Sequence, residues 1–257
     1  MLGDAALGAL IAFAIAVVTT PVGVSGAVFL VPVQVSLLHT ASPAVTPTNL
    51  LYNLIAIPGA LLRFHHERRL GGQLTRLLVL STLPGMVAGA AIRAELLSGS
   101  KAFLVVIAAV LVPLGAWLAF GKPVATAAPP DLRRRRLIAL LALAVGVVGG
   151  IYGIGGGAIL GPILVGLGYT VFEVAPAALT ATFLTSIAGV ATFALLSLGG
   201  GDAAPNWSLG IGMGLGGLAG AYLGARLQPR LPETLLRRGL GILALALGLR
   251  YAILAVV

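Results

Sequence analysis

The stretch Val147-Val148-Gly149-Gly150-Ile151-Tyr152-Gly153-Ile154-Gly155-Gly156-Gly157-Ala158-Ile159-Leu160-Gly161-Pro162 decides how the rest of the chain is read. It lies within an apolar run long enough to enter a bilayer, yet its glycines and Pro162 disfavour an uninterrupted helix. The reading is a helix that opens. In hydrocarbon an unpaired backbone group costs several kcal/mol, so a helix opened at membrane depth is tolerated only where protein, water or a ligand satisfies it. The stretch is therefore a candidate binding site. A weaker copy precedes it: Val17, Val18, Gly23, Gly26, Leu30 and Pro32 recur 130 positions later as Val147, Val148, Gly153, Gly156, Leu160 and Pro162. A shared offset in a chain of 257 residues implies two halves, each with one broken element.

Composition sets the solvent. Hydrophobic residues make up 59% of the chain and charged residues 9%, with a mean hydropathy of +1.08, which is the composition of an integral membrane protein. The apolar runs are long, rich in Leu, Ala and Gly, and do not alternate, so they read as spanning helices of about 20 residues and not as barrel strands. A net charge of +9 would suggest nucleic acid in a soluble protein. Here the basic residues cluster in short loops between apolar runs, as the positive-inside rule expects, and no nucleic-acid partner is implied. Cysteine is absent, which removes disulfides and thiolate metal sites. The amino terminus carries Asp4 and no Lys or Arg before its first apolar run, so it reads as retained and not as a cleaved signal.

Taken in order, Leu7 to Leu38 reads as two short helices meeting near Gly23 to Gly26, either a re-entrant hairpin or two short crossings. Spans follow at Ala44–Leu62, Leu77–Ile92 and Ala102–Phe120. The polar stretch Lys122 to Arg136, with the run Arg133 to Arg136, links the halves. Leu137 to Leu167 is the second broken element, and Val174–Leu198, Asn206–Ala225 and Leu235–Val256 are the later spans. The organisation is a first repeat over residues 1–121, a basic linker over 122–136 and a second repeat over 137–257. Thr46-Pro47-Thr48-Asn49 echoes Thr180-Ala181-Thr182-Phe183, and Gly85 with Gly89 echoes Gly216 with Gly220. If each broken element returns to its starting side, thirteen basic residues from Arg63 to Arg238 share one face, leaving Arg93, Lys101 and Arg250 opposite. Three spans after each break then invert the second half. The fold class is thus an all-α integral membrane protein of two inverted-topology repeats, each a broken or re-entrant helix pair followed by three transmembrane helices.

The chemistry-bearing residues are sparse. A helix starting after a break directs free N–H groups and roughly half a positive charge toward the opening, which suits an anion. The candidate substrate-binding set is Gly23, Ser25, Gly26, Gln34, Thr48, Asn49, Asn53, Gly153, Gly155, Gly156, Gly157, Thr182, Thr185 and Ser186. For any single Ser or Thr the plainer role is a bond to its own helix carbonyl. All seven acidic residues fall at or near helix ends, so a cation site inside the membrane would be poorly compensated, and no metal or other cofactor is implied. Phosphate-binding Gly-Lys-Ser/Thr signatures are missing. The spans offer no acid/base pair for a membrane enzyme, and a channel on the same broken helices stays open as an alternative to a carrier. His39 follows the first break and could respond to pH, although a lone interfacial His is usually a polar boundary residue. Gly212, Gly216, Gly220 and Gly224 form a smooth strip, read first as helix packing and second as a contact between two copies of the chain, a homodimer.

The doubled pattern of Gly23, Gly26 and Pro32 with Gly153, Gly155, Gly156, Gly157 and Pro162, followed by the Thr46 and Thr180 segments and the Gly85–Gly89 and Gly216–Gly220 helices, resembles the TauE/SafE sulfite-exporter family over essentially the whole chain. The resemblance implies a bacterial or archaeal inner-membrane permease for sulfur-containing or organic anions such as sulfite, sulfoacetate or related sulfonates, coupled to protons. The first copy carries Val24 and Ser25 where the second has Ile154 and Gly155. The topology scheme puts both termini outside and the Arg133 linker in the cytoplasm. Cysteines introduced at either end should react with an impermeant reagent added to intact cells; an amino terminus labelled only after lysis overturns the scheme.

Overall fold

The computed structural model describes residues 2–38, 40, 42–95, 101–121, 132–197 and 204–256. His39 and linker residues 122–131 lie outside these. Ten α-helices follow in order: α1 (Leu2–Thr19), α2 (Ala27–Pro32), α3 (Ser42–His66), α4 (Gln73–Glu95), α5 (Lys101–Phe120), α6 (Leu132–Tyr152), α7 (Gly157–Gly166), α8 (Val171–Ser197), α9 (Trp207–Leu227) and α10 (Glu233–Val256). Among the described residues there is no strand. Among the described residues six helices are long and apolar enough to cross a membrane, namely α1, α3, α4, α6, α8 and α9.

The first broken element departs from the expected pair of short helices. No proline interrupts the chain before Pro21, so α1 runs its full 18 residues, and only α2 is short. Pro21 then sits in the 3-10 turn Thr20–Val22, where its missing N–H is not needed. After Pro32 the helix widens into a π-turn over Val33–Leu37. In the second half α6 starts at Leu132, so the run Arg133 to Arg136 forms its first turn.

Glycine seams fix the packing. Cβ atoms built on Gly212, Gly216 and Gly220 of α9 would lie 2.8, 2.0 and 2.3 Å from the carbonyl oxygens of Ala5, Ala9 and Phe13 on α1. Backbones this close exclude any side chain. The ascending order shows that α1 and α9 run parallel, and Leu51, Ile55 and Gly59 of α3 meet Gly210, Gly214 and Leu218 of α9 in the same sense. Both glycine faces of α9 are therefore used inside the chain. On the other side Gly85 and Gly89 of α4 meet Leu143 and Val147 of α6, again ascending. Met86 of α4 faces Gly189 of α8 and, with Ala90, shares an apolar cluster with Phe193. Across the centre α3 and α8 are antiparallel: Leu50 meets Gly189, while Ile57 and Ala60 cluster with Ala175 and Leu179. Gly115 of α5 and Gly241 of α10 meet reciprocally, in descending order. Thus α1, α3, α4 and α5 run opposite to α6, α8, α9 and α10 respectively.

These contacts correct two registers. The α1–α9 contact of Phe13 with Gly220 repeats in α6–α4 as Leu143 with Gly85, so Gly85 and Gly89 correspond to Gly220 and Gly224, one turn beyond Gly216 and Gly220. Similarly Gly23 packs on Ala175 and Gly153 on Thr46, so Thr46 corresponds to Ala175, and Asn53 to Thr182. The shared pattern is Val45-x-Pro47-x-x-Leu50 with Val174-x-Pro176-x-x-Leu179.

One end of the bundle gathers the basic residues. Arg69 donates to Glu67 (3.1 Å), to Gln228 Oε1 (2.7 Å) and to the Phe172 carbonyl (2.6 Å), and its guanidinium stacks on Phe64 and Phe172. Buried Gln228 donates in turn to the Pro21 carbonyl. Arg135 bonds Gln73, Glu233 accepts from the Val171 N–H, and Arg237 donates to the Gly121 carbonyl beneath Trp117. These bonds bring the ends of α1, α3, α5 and α9 level with the starts of α4, α6, α8 and α10. Substituting Gly216→Val should push α1 from α9 and cost about 1–3 kcal/mol, read as a lowered melting midpoint in detergent. Gly3→Val, with nothing within 4 Å of its Cβ, should leave the midpoint unchanged.

Candidate functional site

Both helices open where the sequence suggests. Gly23 adopts φ +77° and closes the 3-10 turn by donating its N–H to the Thr20 carbonyl at 2.9 Å. Gly153 and Gly155 adopt φ +66°, and the Gly153 N–H returns to the Gly149 carbonyl at 2.8 Å. Left-handed backbone of this kind is open to glycine at little cost and strained for other residues. The openings also admit no side chain: a Cβ on Gly23 would lie 2.5 Å from Ala175 Cα, and one on Gly155 2.2 Å from Thr182 Cγ2. The two breaks touch, since a Cβ on Gly157 would stand 3.2 Å from the Gly23 carbonyl oxygen.

The first amide after each break is already paired. The Ala27 N–H donates to Ser25 Oγ at 3.2 Å, and the Gly157 N–H donates to Thr182 Oγ1 at 3.1 Å. These are equivalent positions in the two halves, served by hydroxyls from different places in the sequence. Gly26 and Gly156 precede α2 and α7 as their caps, and their carbonyls accept from residues three and four places on. The expectation of open N–H groups at the breaks is corrected for these two amides: the hydroxyls hold them.

Side-chain amides on α3 are among the unspent donors. Ser25 Oγ donates to Asn53 Oδ1 at 2.5 Å, and Gln34 Nε2 donates to Asn49 Oδ1 at 2.5 Å. Both asparagines use their oxygens, one helical turn apart, which leaves Asn49 Nδ2 and Asn53 Nδ2 buried without a hydrogen-bond partner. Gln34 Oε1 and Ser186 Oγ are buried and unpaired as well. The antiparallel register that sets Leu50 against Gly189 puts Ser186 level with Asn53. Gln34, Asn49, Asn53, Thr182 and Ser186 are all fully buried. The described carboxylates of Asp4, Glu67, Glu173 and Glu233 lie at helix ends, away from this cluster.

Two of the candidate residues serve the scaffold. Thr48 Oγ1 accepts from the Asn206 N–H at 2.9 Å, joining α3 to the start of α9. Thr185 donates to the Ala181 carbonyl of its own helix at 2.8 Å. Sequence reasoning missed Tyr52, whose hydroxyl lies 2.5 Å from where a Gly26 Cβ would be, and Thr46, which packs on Gly153 and donates to the Ile151 carbonyl at 3.4 Å. Tyr52 adjoins Asn53 on α3 and could have been found from that adjacency; Thr46 gave no signal beyond its place in the repeat. The second half places Leu164 and Ala178 where the first has Gln34 and Asn49, so the amide cluster is one-sided.

The two described cavities lie elsewhere, at the basic end. One of about 490 Å³ is lined by residues including Gln73, Arg76, Arg135 and Tyr169, and its neighbour by residues including Arg69, Gly72, Thr75 and Glu173. Neither is lined by the breaks, which are closed by the glycine contacts above.

A family model described as Sulfite exporter TauE/SafE matches residues 8–251, nearly the whole chain. No curated protein and no solved structure matches. Replacing Thr182 by Val should strand the buried Gly157 N–H and cost about 1–3 kcal/mol. Thr185→Val, which removes a bond only to its own helix, should lower the melting midpoint less; equal shifts would show that the Thr182 hydroxyl is not holding the break.

Proposed function

The chain belongs to the sulfite exporter TauE/SafE family, and on that premise we propose that it carries sulfite, sulfoacetate or related small sulfonates out of the cell across the inner membrane by alternating access. It is a multi-pass membrane protein of a transporter family. The proposed repeats are residues 1–121 and 137–257, inverted about an axis in the membrane plane and joined by the cytoplasmic linker 122–136. The opposed directions of four helix pairs support the inversion, and the gathering of basic residues at one end supports a cytoplasmic linker with both termini outside.

The observation that carries the reading is the set of buried donors Asn49 Nδ2, Asn53 Nδ2 and Ser186 Oγ on α3 and α8, the helices against which the breaks pack. Each stranded donor costs about 1–3 kcal/mol, a cost that an oxyanion accepting all three would remove. Neutral donors also suit a substrate that must be released, because a buried cation would hold an anion too firmly. Gly23, Gly26, Gly153, Gly155 and Gly156 shape the opening in this reading; Ser25, Gln34, Gly157 and Thr182 hold the donors and the break in place. Close packing of the two breaks supports a carrier over an open channel. None of these donors titrates near neutrality, so for sulfite the proton coupling implied by the family would enter with the substrate, as hydrogensulfite.

Proteoliposomes offered sulfite, thiosulfate, sulfonates and carboxylates, with and without a pH gradient, test this directly. Saturable uptake of sulfite or a sulfonate, with counter-transport, is expected. An Asn49→Leu, Asn53→Leu double variant, compared with wild type at equal amounts of folded protein in the vesicles, should lose at least about tenfold in uptake, one or two charge-assisted hydrogen bonds' worth. Movement of divalent metal ions alone would overturn the reading.

A further inference from the structure

We infer that the larger cavity at the basic end is a binding site for an anionic phospholipid of the surrounding bilayer, held by Arg76 and Arg135 between α4 and α6. The cavity of about 490 Å³ has two kinds of wall. Arg76, Arg135 and Gln73 supply its polar part, and Leu74, Leu77, Leu80 and Tyr169 its apolar part. Arg135 donates to Gln73, and both arginines are exposed. Among the described residues the ion pairs engage Glu67 with Arg63 and Arg69, so neither Arg76 nor Arg135 has a carboxylate partner. Positive charge is concentrated there without internal neutralisation. The adjoining cavity does contain Glu173, but that carboxylate accepts from the Thr170 N–H and hydroxyl.

The apolar wall selects a lipid over a free anion. From Gln73 to Leu80 the helix climbs about 10 Å, so the cavity rises from the polar end toward hydrocarbon depth. Leu80 is strongly exposed, as are Leu137 and Leu140 on α6, which continues the apolar wall outward toward the bilayer. A headgroup phosphate at the arginines would lay its acyl chain along Leu77 and Leu80. Basic pockets between spanning helices bind acidic headgroups through this combination of a fixed cation pair and a greasy rim. A hydrated free anion would gain nothing from the leucines.

Native mass spectrometry of the purified full-length chain with phosphatidylglycerol, cardiolipin or phosphatidylcholine tests the assignment. Preferential retention of the acidic lipids is expected. Arg76→Gln with Arg135→Gln should weaken phosphatidylglycerol binding by about tenfold or more while leaving phosphatidylcholine unaffected. Equal retention by wild type and variant, or no preference for acidic lipid, overturns the proposal. A Leu80→Trp chain in bilayers keeps both arginines, and its added fluorescence should be quenched more by brominated phosphatidylglycerol than by brominated phosphatidylcholine; equal quenching also overturns it. Displacement of bound lipid by millimolar sulfite or inorganic phosphate would instead make the cavity a port for free anions. That outcome can occur whether or not the donors at the breaks carry substrate.

Discussion

A peptide group opened inside hydrocarbon has no water to turn to, and the architecture is arranged around that requirement. Each half opens its chain once, and in each the protein holds the first amide of the helix that follows. Glycine turns the backbone back on itself, a hydroxyl takes the first amide of the following helix, and the opening is laid against the third helix of the opposite half. The breaks therefore stabilise each other: Gly23 rests on Ala175, Gly153 on Thr46, and Gly157 against the Gly23 carbonyl. Among the buried side chains, the amides of Asn49 and Asn53 are left without a partner.

The surrounding helices hold this arrangement by shape. Lipid tails are as apolar as leucine, so helices in a bilayer gain little from hiding hydrophobic surface and associate through close van der Waals contact. The glycines of α4 and α9 bring backbones to distances at which no Cβ fits. The described charged residues lie toward the helix ends, most of the basic ones at one end of the bundle, where Arg69, stacked on two phenylalanines, links the α3–α4 loop to α8, α9 and the chain just before the first break.

Much of this was legible in the sequence. The positions of both breaks followed from glycine and proline within apolar runs, and the confinement of acids to helix ends followed from their spacing. Register was harder. An apolar helix has no polar stripe to phase it, so Gly216 and Gly220 looked as good a match for Gly85 and Gly89 as Gly220 and Gly224, and only interhelical contact decides between them. The sequence names the candidate side chains but not the bonds that each makes. A buried hydroxyl can serve its own helix, a neighbour or a ligand, and sequence cannot distinguish Thr185, bonded to Ala181, from Thr182, bonded across to Gly157. The first break also looked symmetric from Leu7 to Leu38, because the absence of a breaker before Pro21 carries less visual weight than the cluster after it.

The contact map crosses the chain's own division. α9 of the second half lies against α1 and α3 of the first, and α4 of the first lies against α6 and α8 of the second. Two parallel trios result, α1–α3–α9 and α6–α8–α4, each borrowing one member from the other half. The packed units of this protein are therefore not contiguous in sequence: severing the chain between α5 and α6 would cut through both trios, leaving each fragment with a glycine seam and nothing to close it.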